Sequence, residues 1–276
     1  MPHPPRTRTT GRRRSPKKPG AGQSPQTRRP PRGRRPRRTA PKVAQGKLET
    51  GSPRNTRGQV RKPEAEGKKK AWVYVDGFNL YYGALKETPY RWLDIRRMCE
   101  LLLPELTIDR IKYFTARVSG RIGDPGKPTR QQIYLRALRT LPHLEIILGR
   151  FLSHDVMMAL AEPKTGASRF ALVVKTEEKG SDVNIASHMI HDAHQKLFDV
   201  AVLVTNDSDL LEPVRIVRRE MGIPVGILNP HRYTPSKVLM PYATFVKVIR
   251  QGVLAASQLP GTLRDSTGVI RKPEGW

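Results

Sequence analysis

Val200-Ala-Val-Leu-Val-Thr-Asn-Asp-Ser-Asp-Leu210 is an unbroken run of five apolar residues followed by a polar turn that carries two carboxylates. An apolar run of this length without polar alternation reads as a strand buried on both faces, as in a parallel sheet. Two other stretches end the same way. Trp72-Val-Tyr-Val75 runs into Asp76-Gly-Phe-Asn79, and the apolar residues 170–174 run into Lys175-Thr-Glu-Glu-Lys-Gly-Ser-Asp-Val-Asn184. Each of the three predicted strands is followed by acidic residues.

Working outward, residues 108–115, 144–148 and 225–228 read as further strands, and 245–249 as a last short element before a polar tail. Residues 93–103 have helical spacing and stop at Pro104. Residues 128–141 predict an amphipathic helix with Ile133, Leu135, Leu138 and Leu141 mostly on one side. Residues 181–197 predict another, striped by Val183, Ala186, Ile190 and Leu197, and 210–221 a fourth. Strands alternating with helices predict an α/β domain whose parallel sheet is covered on both faces.

The charge divides the chain differently. Residues 1–70 carry 23 of the 51 Lys and Arg but 3 of the 24 Asp and Glu, so most of the net charge of +27 sits there. The first 68 residues also hold 12 prolines and no apolar periodicity, which predicts a disordered basic arm over 1–68. Such an arm suits non-specific contacts with nucleic-acid phosphates; a solvated linker, or sequence upstream of the true start, fits equally. A mitochondrial transit peptide is disfavoured, because the prolines would break its helix. The remainder divides into a domain over 69–250, long enough for a full core, and a C-terminal tail over 251–276. No apolar run reaches membrane-spanning length, no secretory h-region opens the chain, and Cys99 is the single cysteine. The expectation is a cytoplasmic protein with no membrane association and no cysteine-based zinc cluster.

In an open α/β sheet, ligands sit outside the carboxyl ends of the strands. Asp76, Asp207 and Asp209 leave those ends directly, and Asp182 opens the following helix, where it can point back over the same edge. Each alone has an ordinary role as a turn former, a helix-dipole partner or a cap. Together, four carboxylates repel one another and call for a cation, and ligands that are all oxygen suit Mg²⁺ or Mn²⁺. Dinucleotide binding is disfavoured, since a carboxylate stands where a glycine-rich turn would follow the first strand. A haloacid-dehalogenase-type loop would need Asp-x-Asp after the first strand, where this chain has Asp-Gly-Phe-Asn.

Val75-Asp-Gly-Phe-Asn-Leu80, Lys175-Thr-Glu-Glu-Lys-Gly-Ser-Asp-Val-Asn-Ile-Ala186 and Thr205-Asn-Asp-Ser-Asp-Leu210, in that order, resemble the three motifs of the NYN domain family, a PIN-like, ribonuclease-related group. The resemblance covers roughly residues 70–250. It implies a parallel Rossmann-like (PIN-like) sheet and a Mg²⁺- or Mn²⁺-dependent ribonuclease site, with RNA as the partner. Asp76, Asp182, Asp207 and Asp209 match the acidic, metal-holding and catalytic positions, and Asn79 and Lys179 match polar positions beside them. The chemistry so implied is in-line attack of a metal-activated water on the phosphodiester, with Asp76 and Asp207 as main ligands. Asp182 and Asp209 would complete the shell or orient the water, and Asn79 would hold Asp76 or a phosphate oxygen. Thr205 and Ser208 would act in support.

Basic residues are expected to flank this site: Arg121, Lys127, Arg130, Arg136 and Arg139 on one side, and Arg215, Arg218 and Arg219 on the other. Either they track a nucleic-acid backbone or they form ordinary solvated faces. Lys179, Ser208 and Arg130, with Asn79, are the candidate substrate contacts. Tyr81 and Tyr82 suit stacking on a base or a place in the core rim. His188, His191 and His194 drift around their helix, so a polar face fits them better than a zinc site. A homodimer is compatible with the sequence. The alternative of a different class is a non-catalytic RNA-binding or regulatory module that keeps the same fold.

Overall fold

A computed structural model describes residues 67–120, 123–163, 166, 168–232 and 235–276. The predicted arm over 1–68, apart from Gly67 and Lys68, lies outside these residues, as does Arg121. The chain runs β1 (Lys69–Asp76), α1 (Gly77–Leu80, continued by a π-helical turn Tyr81–Leu85), α2 (Ile95–Leu102), β2 (Leu106–Ala116) and α3 (Lys127–Leu138). It continues with β3 (Leu144–Ala159), β4 (Phe170–Lys179), α4 (Ser181–His194), β5 (Val200–Val204) and α5 (Leu211–Arg215). Then follow β6 (Val225–Asn229), β7 (Phe245–Val248), α6 (Gln251–Ala256), β8 (Thr262–Asp265) and β9 (Gly268–Arg271). A 3₁₀ turn, Ser208–Leu210, leads into α5, and a π-helical turn, Ile216–Glu220, follows it.

Seven strands form one sheet in the order β4-β3-β2-β1-β5-β6-β7. All neighbours pair parallel except β3 and β4. The fully apolar run Val200–Val204 sits beside β1 at the centre and is buried throughout, as its composition requires. Alternation then sorts the central strands onto two cores. Ala71, Val73 and Val75 pack with Val200, Val202 and Val204 toward α2 and α3, while Trp72 and Tyr74 pack with Ala201 and Leu203 toward α4 and α5. Helices therefore cover both faces. Among the described residues no helix is long and apolar enough to cross a membrane.

Three sequence expectations change. First, the predicted strands 144–148 and 170–174 are only parts of longer strands. β3 continues to Ala159 and pairs antiparallel with all of β4, from Arg150↔Lys179 to Ala159↔Phe170. Since β3 leaves β2 at Gly149, this ribbon extends past the carboxyl edge of the parallel sheet. β4 then returns the chain to that edge, and Gly180, at φ 102°, turns it into α4. Second, Lys175–Lys179 belongs to β4 and is not a loop after it. Third, residues 251–276 are not a polar tail: they form α6 and the β8–β9 hairpin. Leu254, Leu259 and Ile270 enter the core, Trp276 stacks edge-on against Trp92, and Arg136 donates twice to Asp265 at 2.6 Å.

Candidate active site

Each acidic residue is placed by backbone rules that operate without any ligand. Asp76 ends β1 and caps α1, its Oδ1 accepting the Asn79 amide at 2.9 Å. Gly77 follows because a Cβ there would stand 2.7 Å from the Phe114 carbonyl and the Tyr113 ring. Asp207 caps the 3₁₀ turn through the Asp209 amide at 3.0 Å. Asp182 lies in the first turn of α4, where the helix dipole favours a negative charge. Capping and convergence are therefore both satisfied. One carboxylate oxygen each from Asp76, Asp182 and Asp207 lies within 4.8 Å of the others.

Polar contacts fix this group. Thr205 Oγ1 donates to Asp76 Oδ2 at 3.2 Å and accepts the Asp207 amide at 3.1 Å. Asn79 Oδ1 accepts the Asn206 amide at 2.9 Å and stands 3.2 Å from His231 Nε2. Burial, then the charges of Asp182 and Asp207, pushes the Asp76 carboxyl up to about 6 against the pull of its amide and hydroxyl donors. Asp182 is raised as well, by burial and then by Asp207, Glu178 and Asp209. Among the described residues no Lys or Arg pairs with any of the three.

The three carboxylates line a cleft of about 570 Å³, a volume typical of ligand sites. Asn79, Lys127, Glu178 and His231 share its walls, with Phe78 and Phe151 in edge-to-face contact at 5.6 Å. Other predicted site residues stand elsewhere. Asp209 is exposed and outside the three-carboxylate group, and Ser208 beside it is exposed and off the cleft wall. Lys179 points its charge at Glu177, 3.3 Å away. Arg130 pairs with Asp124 and lines a smaller neighbouring cavity. Part of the expected basic flank is engaged by carboxylates: Arg136 is held by Asp265 and Arg215 by Glu212 and Glu220, while Arg219 lies 5.5 Å over the Tyr242 ring.

Sequence reasoning did not single out Phe78, Phe151, Glu178 or His231. His231 had a usable signal, since it follows β6, another strand that ends at the same edge. Its ring packs within about 3 Å of where a Cβ on Gly83 would stand, which explains the glycine. Phe151 and Glu178 sit on the protruding ribbon, paired across it. His188 lies instead on the far core, its Nδ1 3.1 Å from Lys112 Nζ, away from the cleft.

A family model described as the NYN domain matches residues 70–248. The chain is 31% identical to 6-hydroxy-3-succinoylpyridine 3-monooxygenase HspA of Pseudomonas putida, over 74% of each chain. Among solved structures it is similar to a protein of unknown function from Vibrio parahaemolyticus, at 19% identity and a TM-score of 0.41, covering 68% of this chain and 97% of that one.

Proposed function

The chain belongs to the NYN domain family, whose fold is PIN-like and nuclease-related, and from that premise we propose that it is a Mg²⁺- or Mn²⁺-dependent ribonuclease. The observation that carries this reading is the convergence of Asp76, Asp182 and Asp207 within 4.8 Å, without a basic partner among the described residues, in the wall of the cleft. Three carboxylate oxygens suit a hard divalent cation, and the upward-shifted Asp76 and Asp182 mark negative charge that such an ion would compensate. When bound there, the ion would lower the pKa of a coordinated water and stabilise charge on the phosphate oxygens.

The chain's own residues do the rest. Asn79 and Thr205 hold both oxygens of Asp76, so its orientation is set before substrate arrives. Lys127 supplies positive charge on the cleft wall for the phosphodiester. Asn79 Oδ1 accepts from His231 Nε2–H, which leaves the Nδ1 lone pair of the neutral ring to accept a proton from the attacking water. Asp209 sustains the site's negative field from outside the cluster.

The test is cleavage of a mixed RNA pool by the full chain with Mg²⁺, Mn²⁺ or EDTA, for wild type and Asp76→Asn. Cleavage that requires the ion and is lost in the variant supports the reading. Equal cleavage by both proteins would falsify it. The activity in the Pseudomonas relative's name favours a second reading, in which the cleft takes a small hydroxylated pyridine. Under that reading RNA survives every condition of the same assay.

A further inference from the structure

Beside the acidic cleft lies a second cavity, bounded by α1 and its π-helical turn, β2 and α3, with Trp276 at its side. Phe78, Tyr82, Val118 and Lys127 line both cavities, so the two are adjoining rooms with a common wall. The second has a volume of about 100 Å³, the order of space in which a single six-membered aromatic ring is held in a protein interior. Phe78, Tyr81, Tyr82 and Trp276 line it, together with the charged Arg91 and Lys127 and the Asp124–Arg130 pair.

Two polar groups distinguish it from a packing defect. Tyr113 and Thr115 alternate along β2, so both project to the same side. They are 6% and 2% exposed, both line the cavity, and neither hydroxyl has a hydrogen-bond partner among the described residues. Neither is sealed off, since the buried polar side-chain atoms left without a partner among the described residues are Arg110 Nε, Ser257 Oγ and Gln258 Oε1; both hydroxyls open onto the cavity, where the polar edge of a ligand can reach them. Their neighbours, by contrast, are fully engaged. Gln131 accepts from the Val118 amide and donates to the Ala116 carbonyl, and the Tyr134 hydroxyl donates to the Leu93 carbonyl. Burial and the nearby Asp76 hold the Tyr113 hydroxyl far up in its protonated form, so it remains a donor.

We propose that this annex is a base-binding subsite that takes a pyrimidine: the ring stacks among Phe78, Tyr82 and Trp276, and the Tyr113 and Thr115 hydroxyls meet its polar edge. The proposal rests on the ribonuclease reading, with the ring supplied by the nucleotide whose phosphate enters the acidic cleft past Lys127. A base in the annex must be unstacked from its neighbours, so the substrate is RNA whose bases can be splayed out. Aromatic stacking supplies affinity and ring size supplies the preference for one ring over two.

The test is calorimetric titration of the full chain with uridine 5′-monophosphate, adenosine 5′-monophosphate, ribose 5-phosphate and 6-hydroxynicotinate, with Trp276 quenching as a second signal. Uridine monophosphate is expected to bind at least about tenfold tighter than ribose 5-phosphate, the margin that stacking of one base gives. It is also expected to bind more tightly than adenosine monophosphate. Tyr113→Phe and, separately, Thr115→Val should each weaken it about fivefold, the value of one hydrogen bond, and leave ribose 5-phosphate unchanged. Thermal melts and far-UV spectra of both variants establish that they fold. Equal binding of uridine monophosphate and either ribose 5-phosphate or adenosine monophosphate overturns the proposal. So does unaltered nucleotide binding in both folded variants. Tighter binding of 6-hydroxynicotinate than of any nucleotide, with the same loss in Tyr113→Phe, assigns the annex to a free heterocycle and also overturns it. RNA cleavage measured alongside separates the two readings: pyrimidine binding without cleavage removes the ribonuclease, and cleavage without base preference removes only the subsite.

Discussion

Asp76, which ends β1, and Asp192, which lies against it, are both buried acids, 5% and 3% exposed, yet the fold treats them oppositely. Asp192, on α4, receives Lys112 Nζ at 2.6 Å and the Tyr74 hydroxyl at 2.8 Å on the same oxygen, and Lys112 lies 5.2 Å over the Trp72 ring. Its charge is matched inside the protein. Asp76, at the carboxyl edge, receives an amide and a hydroxyl and faces two further carboxylates. A buried charge left without a counter-charge is destabilising. The chain builds an ion pair where it fastens α4 to the sheet and leaves one out where the cleft opens. That difference is the basis for the proposal that a cation from outside binds at the edge.

The contrast can be broken in several ways. The largest effect is expected on turnover: Asp207→Asn should lower metal-dependent RNA cleavage by about 100-fold or more, since it removes a ligand position. Asp209→Asn, outside the three-carboxylate group, should lose less in the same assay. Next is stability. Asp192→Asn should destabilise the chain by about 3 kcal/mol in urea unfolding, because it leaves Lys112 buried without its partner. Retention of full stability would mean the pair does not fasten α4.

The pH dependence sharpens the comparison further. The Asp76 carboxyl stands at about 6 in the fold against an ordinary 3.8, so the folded chain holds that proton longer than the unfolded one. Stability of the metal-free protein should therefore fall on this account as pH rises from about 4 to about 6, and the loss is complete above that range. Affinity for Mg²⁺ or Mn²⁺ should move the other way and level off above about 7, since binding needs the carboxylate. The smallest effect follows from the same cause. At pH 8 without divalent ions, Asp76→Asn should melt higher than wild type, by about 1 kcal/mol of stability. A lower melting point would mean that the hydrogen bonds from Asn79 and Thr205 outweigh the repulsion.

The sheet and three of the acids were legible because they obey one local rule, an apolar run that ends in an acidic turn. Val200–Val204 could be recognised without any partner, since burial on both faces leaves no alternation to misread. The ribbon of β3 and β4 obeys no such rule. It protrudes past the sheet, so Leu152, Met157 and Leu172 are exposed beside Ser153, His154 and Lys175, and no buried face imprints a period. The segment after residue 250 was misread for a related reason: its elements run only four to six residues and depend on distant anchors, Trp92 for Trp276 and Arg136 for Asp265. At the site, Glu178 and Phe151 were hidden with the ribbon that carries them. Arg130 and Arg215 looked available because sequence cannot show that Asp124, Glu212 and Glu220 already engage them.

The edge around Asp76 gathers three carboxylates that no described Lys or Arg neutralises, and a divalent cation from solution is expected to bind there. Calorimetric titration of the full chain with Mn²⁺ at pH 7.5, for wild type and Asp76→Asn, tests it most directly. The account predicts saturable binding by wild type that weakens by at least about tenfold in the variant. Indistinguishable titrations for the two proteins, with both folded, would contradict it.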